Sequence, residues 1–219
     1  KAPPTWAYAP WISAQGGRDA VLARVATLEQ NNIQAGAIWS QDWTGKRMNV
    51  GGGYGVQYRW VADEMLYPDL AGMITDLHTK GYKFLAYANP FIMPNLDHWT
   101  AMSDGDMLIR KGGQTYLHAS PAGDSSHPDP TNPATGEYVR SQLSKMVTQL
   151  GIDGWMADFA EWVPLDAEYM DGSDGRAMHN RYPTEWHRWS REVMDKARPD
   201  GDWAVFTRSG WTGEQAVAQ

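Results

Sequence analysis

Four times along this chain a short apolar run is followed by an amphipathic helical stretch, and a fifth run ends the series. The runs are Trp6 to Ile12 (the weakest, broken by Pro10), Gly36-Ala-Ile-Trp39, Phe84-Leu-Ala-Tyr87, Gly154-Trp-Met-Ala157 and Trp203-Ala-Val-Phe206. Short runs that are apolar on both faces and bounded by turn residues read as strands of a parallel sheet covered on both sides. Four apolar stripes at helical spacing lie between them. They are Val21, Leu22, Val25 and Leu28; Leu70, Met73, Ile74 and Leu77; Val139, Leu143, Met146, Val147 and Leu150; and Trp186, Trp189, Val193 and Ala197. Asn31-Asn32, Gly81, Gly151 and Pro199 supply the stop signals, and Thr131-Asn132-Pro133 gives the third helix a cap and a first-turn proline.

This alternation predicts an α/β fold with a parallel sheet, either doubly wound or closed as an eight-stranded barrel. No glycine-rich phosphate fingerprint follows the first run, and Gly51-Gly-Gly53 sits in a loop away from any helix start. The loops after the runs are long and rich in polar and aromatic residues, which is where barrel enzymes keep their sites. The reading is therefore a (β/α)8 TIM barrel, with residues 1–219 carrying about the first five strands. Residues 103–118 read as an insertion, with Met107–Arg110 and Thr115–His118 forming a β-hairpin about Lys111-Gly-Gly113. About three further strands, from elsewhere in the chain or from a partner, are expected to complete the barrel.

The formal net charge of −7 argues against nucleic acid or an anionic membrane as a partner. The absence of cysteine excludes disulfides, thiolate nucleophiles and Cys-ligated metals. No run reaches the roughly 18 apolar residues a membrane span needs. The opening Lys1-Ala-Pro-Pro-Thr is unlike a signal peptide and reads as entry into a domain of a longer protein, with the compartment left open. Twelve Trp and ten Tyr against four Phe is a skewed set. Rings with an apolar face and a polar edge suit sugars, and a Trp-rich core would use them equally well.

Asp158 carries the strongest chemical signal. A carboxylate at the C-terminal end of an apolar strand must be hydrogen-bonded or paired, and in a barrel that end faces the site. A catalytic carboxylate and a structural hydrogen bond to a loop are both consistent with it. Glu161 follows in the loop as a substrate-contacting or capping group, and Trp155 in the same run is a candidate for substrate contact. At the end of the second run, alternation puts Trp39 and Gln41 on one face and Asp42 on the other. Arg208, after the fifth run, can orient a carboxylate or bind substrate oxygens. The six histidines lack metal-site spacing and no Gly-x-Ser-x-Gly elbow occurs, so neither a metal or other cofactor nor serine hydrolysis is expected.

Seven motifs, in order, resemble glycoside hydrolase family 31: Gln15-Gly-Gly17, Trp39-Ser-Gln-Asp-Trp43 with Thr44-Gly45 and Arg47-Met48, Ala86-Tyr-Ala-Asn-Pro90, Asp129-Pro-Thr-Asn-Pro133, Met156-Ala-Asp-Phe-Ala-Glu161, Met178-His-Asn180 and Arg208-Ser-Gly210. The fifth is most similar to the sulfoquinovosidase branch and related bacterial α-glucosidases. The resemblance implies retaining hydrolysis of terminal α-glycosidic bonds, with Asp158 as nucleophile and the general acid/base on a strand beyond Gln219. It also implies carbohydrate contacts at Gln15 and Gln41, and a sulfonate site in the loop after the second strand. Arg59 and Trp60 are the candidates there, with Lys46 and Arg47 as further cations. A non-catalytic carbohydrate-binding barrel and a sugar-phosphate isomerase barrel are the alternatives.

Overall fold

The computed structural model describes residues 2–49 and 51–217. Five strands form one sheet: β1 (Trp11–Ser13), β2 (Ala37–Trp39), β3 (Lys83–Ala88), β4 (Gly154–Ala157) and β5 (Ala204–Thr207). Every pairing is parallel, and the spatial order equals the sequence order. A doubly wound sheet reverses its strand order at a switch point. Here each crossover instead continues in one direction, as a barrel requires. The interior side chains show the curl. Phe206 on β5 lies 5.1 Å from the ring of Trp11 on β1 and 5.4 Å from that of Trp39 on β2. β1 and β5 share no ladder hydrogen bond, so these rings meet across the interior. The fold is a TIM barrel of which the described residues form five strands.

The helices are α1 (Arg18–Gln30), α2 (Leu70–Thr79), α3 (Pro133–Thr148) and α4 (Tyr182–Ala197), each between successive strands. Asn132 caps α3 by accepting from the Ala134 N–H at 3.0 Å, and Pro133 occupies the first turn, where its missing N–H costs nothing. Val21 and Val25 on α1, Leu77 on α2, Leu143 on α3 and Trp186 on α4 are almost wholly buried. Each such side chain contributes about 1.5–3 kcal/mol.

The period-two alternation of the strands splits the apolar residues into two layers. Ile38, Phe84, Ala86, Trp155 and Ala157 face the helices in the main core. Tyr87 and Met156 face the other way, into a smaller cluster with Tyr58, Phe91 and Phe159. Gly154 permits the close approach of β4 and β5, because a Cβ there would lie 1.7 Å from the Ala204 carbonyl oxygen.

Two loops carry β-hairpins. After β2, Lys46–Met48 pairs antiparallel with Tyr54–Val56, placing Arg47 opposite Gly55. Between β3 and α3 a short helix, Trp99–Asp104, precedes a two-residue ladder, Arg110–Lys111 with Gln114–Thr115. Gly112 and Gly113, at φ 57° and 75°, supply the positive-φ turn such a hairpin needs. A second hairpin, His118–Ser120 with Gly123–Ser125, follows. The expected ladder of 107–110 with 115–118 is shorter: the Tyr116 N–H still donates to the Ile109 carbonyl at 2.9 Å, but the Ile109 N–H turns to the His127 carbonyl and Leu108, buried like Ile109, bridges to Pro128.

Candidate active site

Asp158 continues β4 by one residue, its N–H donating to the Ala88 carbonyl at 2.9 Å. It shares the inward face with Gly154 and Met156. Burial leaves its side chain two partners. Oδ2 accepts from the Tyr87 hydroxyl at 2.7 Å, and Oδ1 lies 3.1 Å from Arg208 Nε. Arg208 also pairs through Nη2 with Glu161, and its guanidinium sits 4.0 Å above the Phe159 ring. Phe159 is left-handed at φ 59°, an uncommon state for a bulky residue, and it turns the chain so that Glu161 comes back to Arg208.

Burial pushes the Asp158 carboxyl above the usual carboxylate range, while the Tyr87 hydrogen bond and the Arg208 charge pull it back. Burial and the neighbouring Asp158 charge push the Tyr87 phenol up in turn, so it stays a proton donor.

A cleft of about 360 Å³ opens over this carboxylate, lined among others by Trp39, Gln41, Arg47, Tyr58, Tyr87 and Asp158. Arg47 reaches it from the 46–48/54–56 hairpin. Its Nε donates to the Val56 carbonyl at 2.8 Å and its Nη1 to Asn49 Oδ1 at 2.7 Å, with the guanidinium 5.0 Å over the Tyr58 ring. A Cβ at Gly55 would come within 2.4 Å of Asn49 Oδ1 and 2.9 Å of Arg47 Nη1, so the glycine opens the slot these side chains cross. No carboxylate pairs with Arg47 among the described residues, which leaves it a half-buried cation facing the cleft.

The sequence candidates divide accordingly. Trp39, Gln41 and Asp158 line the cleft, and Arg208 and Glu161 form the ion-pair cluster beside it. Gln15 is half-buried in the loop after β1 and is not part of the cleft wall. Four candidates lie elsewhere. Asp42 is wholly buried behind the cleft, accepting from the Gly16 N–H at 2.8 Å, from Ser40 at 3.1 Å and from the Tyr67 hydroxyl, so it ties the loops after β1 and β2 together. Trp155 has the opposite strand parity to Asp158, and its Nε1 donates to Ser190 of α4 at 3.2 Å. Trp60 is buried, donating to the Asn89 carbonyl at 2.9 Å with its ring 5.8 Å from that of Trp186. Arg59 makes a two-point ion pair with Asp97, 2.7 Å at Nε, beyond Tyr58 and away from the cleft.

Tyr87, Tyr58 and the orientation of Arg47 escaped the sequence reading. Tyr87 carried a usable signal, since it sits two residues from Leu85 and from Asn89 on the face of the third run that must turn inward. Among the described residues no three His, Asp or Glu side chains converge as a metal ion would require, and no helix is long and apolar enough to cross a membrane.

Comparison with known proteins places this geometry in context. The family description "Glycosyl hydrolases family 31 TIM-barrel domain" matches residues 1–219. The chain is 30% identical over 214 residues to a sulfoquinovosidase of Escherichia coli, covering 97% of this chain and 31% of that protein. It is 31% identical over 217 residues to a sulfoquinovosidase of Agrobacterium fabrum, covering 97% of this chain and 32% of that one. A solved sulfoquinovosidase from E. rectale, in complex with an aza-sugar inhibitor, superposes with a TM-score of 0.93 at 30% identity, over 99% of this chain and 33% of that chain. The chain thus spans about a third of the length of these relatives.

Proposed function

The chain belongs to glycosyl hydrolase family 31, and on that premise we propose that it carries the nucleophile of a retaining α-glycosidase. The observation that carries the reading is Asp158 itself. It is a buried carboxylate at the C-terminal end of a barrel strand, open to a cleft and held by one hydroxyl and one guanidinium. Both contacts favour the ionised form that attack at an anomeric carbon needs. In double displacement Asp158 bonds to the anomeric carbon as the aglycone oxygen leaves with a proton from a second carboxylic acid, and water then reverses the step. That acid is expected beyond Gln219, which lies outside the described residues. Arg208 bridges Asp158 and Glu161, offsets the repulsion between their charges and holds Asp158 Oδ1 in place.

The substrate reading follows from Arg47. A sulfonate or other anionic group on the sugar needs a cation in a partly desolvated site, whereas a neutral hydroxyl does not. Arg59 is occupied by Asp97, while Arg47 faces the cleft without a carboxylate partner. Gln41, neutral, adds no repulsion toward an anion there. Together with the sulfoquinovosidase relatives, this favours an α-glycoside with an anionic sugar over a neutral α-glucoside.

A mechanism-based fluorosugar of α-configuration, applied to the complete protein, is expected to label Asp158 and to leave Asp158→Asn unlabelled. Labelling of Glu161, or sugar binding with no covalent adduct and no turnover, overturns the assignment, and the second outcome would mark a binding barrel.

A further inference from the structure

The loop after β5 carries a buried charge that the proposed reaction leaves unused. Of residues 208–217 only Glu214 is buried, and Gly210 to Gly213 are exposed. A carboxylate taken out of water must be hydrogen-bonded or paired, and α4 supplies both partners. The Thr184 hydroxyl donates to Oε2 at 2.8 Å, and His187 Nδ1 donates to Oε1. Thr184 and His187 are three residues apart, on one face of the helix. The His187 side chain has no exposed surface and its Nε2 makes no hydrogen bond, so among the described residues Glu214 is the ring's one polar partner. The Glu214 side chain also lies across its own loop. A Cβ at Gly210 would come within 2.6 Å of Glu214 Cγ, so the glycine makes room for it. The Glu214 N–H donates to the Trp211 carbonyl at 3.0 Å, and the Val217 N–H to the Glu214 carbonyl at 2.9 Å, which folds the segment around this residue.

We propose that Glu214, seated on Thr184 and His187 of α4, is a positioning residue for Arg208, and through Arg208 for Asp158. This rests on the reading of Asp158 as nucleophile. Arg208 stands two residues before Gly210, over which Glu214 lies. On its other side Thr207 is fixed to Ala157 by the β4–β5 ladder. The segment bearing Arg208 therefore has two fixed ends, the strand and the Glu214 anchor. Between them the guanidinium reaches Asp158 Oδ1 at 3.1 Å and pairs with Glu161. The residues next to the anchor, from Gly210 to Gly213, are exposed and add nothing to the core. What the buried carboxylate fixes is the course of the loop, and the first side chain on that course is Arg208.

Crystal structures and steady-state kinetics of the complete protein test this together. In Glu214→Ala the contact between Arg208 Nε and Asp158 Oδ1 should open beyond about 4 Å, the limit of an ion pair. A contact kept at its present length overturns the proposal, whatever the enzyme hydrolyses. In turnover, kcat should fall about tenfold to a hundredfold, the scale of a small misplacement near the chemistry, with KM little changed. The acid limb of kcat/KM should move up, because the Arg208 charge no longer lowers the Asp158 carboxyl while the Tyr87 hydrogen bond still does. Glu214→Gln, which keeps an acceptor for His187, should recover most of kcat. In an Arg208→Met background Glu214→Ala should cost nothing further. A full second loss there would make Glu214 a structural anchor alone and overturn the idea. Should Glu214→Ala fail to fold, Thr184→Val removes one of the two bonds, and an unmoved kcat and acid limb in it overturn the proposal equally. Failure of α-glycoside hydrolysis altogether would strike the proposed function and leave the crystallographic result to decide the anchor.

Discussion

Strand β4 has an aspartate at each end, and the two are held in opposite ways. Asp153, just before the strand, has no exposed surface. Its Oδ2 takes His78 Nε2 at 2.6 Å and the Phe84 N–H at 2.8 Å, and its Oδ1 faces Arg198 at 3.2 Å and Lys83 at 3.6 Å. Asp158, just after it, has one hydroxyl, one guanidinium and an open cleft. The same side chain thus serves the fold at the N-terminal end, where polar partners surround it, and is left with spare capacity at the C-terminal end, as barrel enzymes require. The difference lies in the surroundings rather than in the strand, since only Gly154-Trp-Met-Ala157 separates them.

The largest expected effect breaks the comparison on the side of activity. Asp158→Asn in the complete protein should lower kcat/KM for its α-glycoside by about a thousandfold or more, since covalent catalysis is lost. Its effect on stability should be of the other sign. Burial raises the Asp158 pKa above its unfolded value of about 4. Its contribution to folding is therefore fully present below about pH 4 and lost as pH rises through the folded value. At neutral pH the ionised group is a cost, and the asparagine should leave Tm unchanged or slightly higher. A marked fall in Tm would mean that Asp158, too, is structural.

Asp153→Asn should invert that pattern. Three basic side chains would lose their shared buried carboxylate, at a cost of about 3–5 kcal/mol in denaturant unfolding, with turnover per folded molecule little changed. A thousandfold loss of turnover here would erase the distinction between the two ends.

A smaller effect separates two arginines. Arg47→Met should weaken turnover of an anionic α-glycoside about tenfold to a hundredfold and spare a neutral α-glucoside. Arg59→Ala removes only a partly exposed ion pair with Asp97, for about 0–1 kcal/mol of stability and no change in selectivity. Equal losses on both substrates in Arg47→Met would assign Arg47 to the shape of its hairpin alone. The mildest change is Tyr87→Phe. Loss of a hydrogen bond to the ionised carboxylate raises the Asp158 pKa further, so the acid limb of kcat/KM should move up by about half to one pH unit. An unmoved limb would remove Tyr87 from the site.

Local pattern determined much of this. Four of the five apolar runs and all four helical stripes appear where the sequence puts them, because a buried strand and a packed helix face each leave a periodicity that neighbours need only cover; the first run, broken by Pro10, instead begins as a 3-10 helix over Thr5–Tyr8 and becomes strand only at Trp11–Ser13. Asp158 was legible for the same reason, as a charge where an apolar run ends. The parity rule that turns Asp158 inward also turns Trp155 outward, so that candidate could have been set aside from spacing alone. The remaining corrections depended on contacts between segments distant in sequence. Tyr87 reaches Asp158 from 71 residues away, and Asp42 is withdrawn by Gly16 from the loop after β1 and by Tyr67 from the far end of its own loop. Which of Lys46, Arg47 and Arg59 faces the cleft depended on a hairpin register that puts Arg47 over Gly55, and on Asp97 standing beside Arg59. Spacing determines which face of its own element a residue occupies, but what waits on that face is fixed only when the sheet curls and brings separate loops together over one carboxylate.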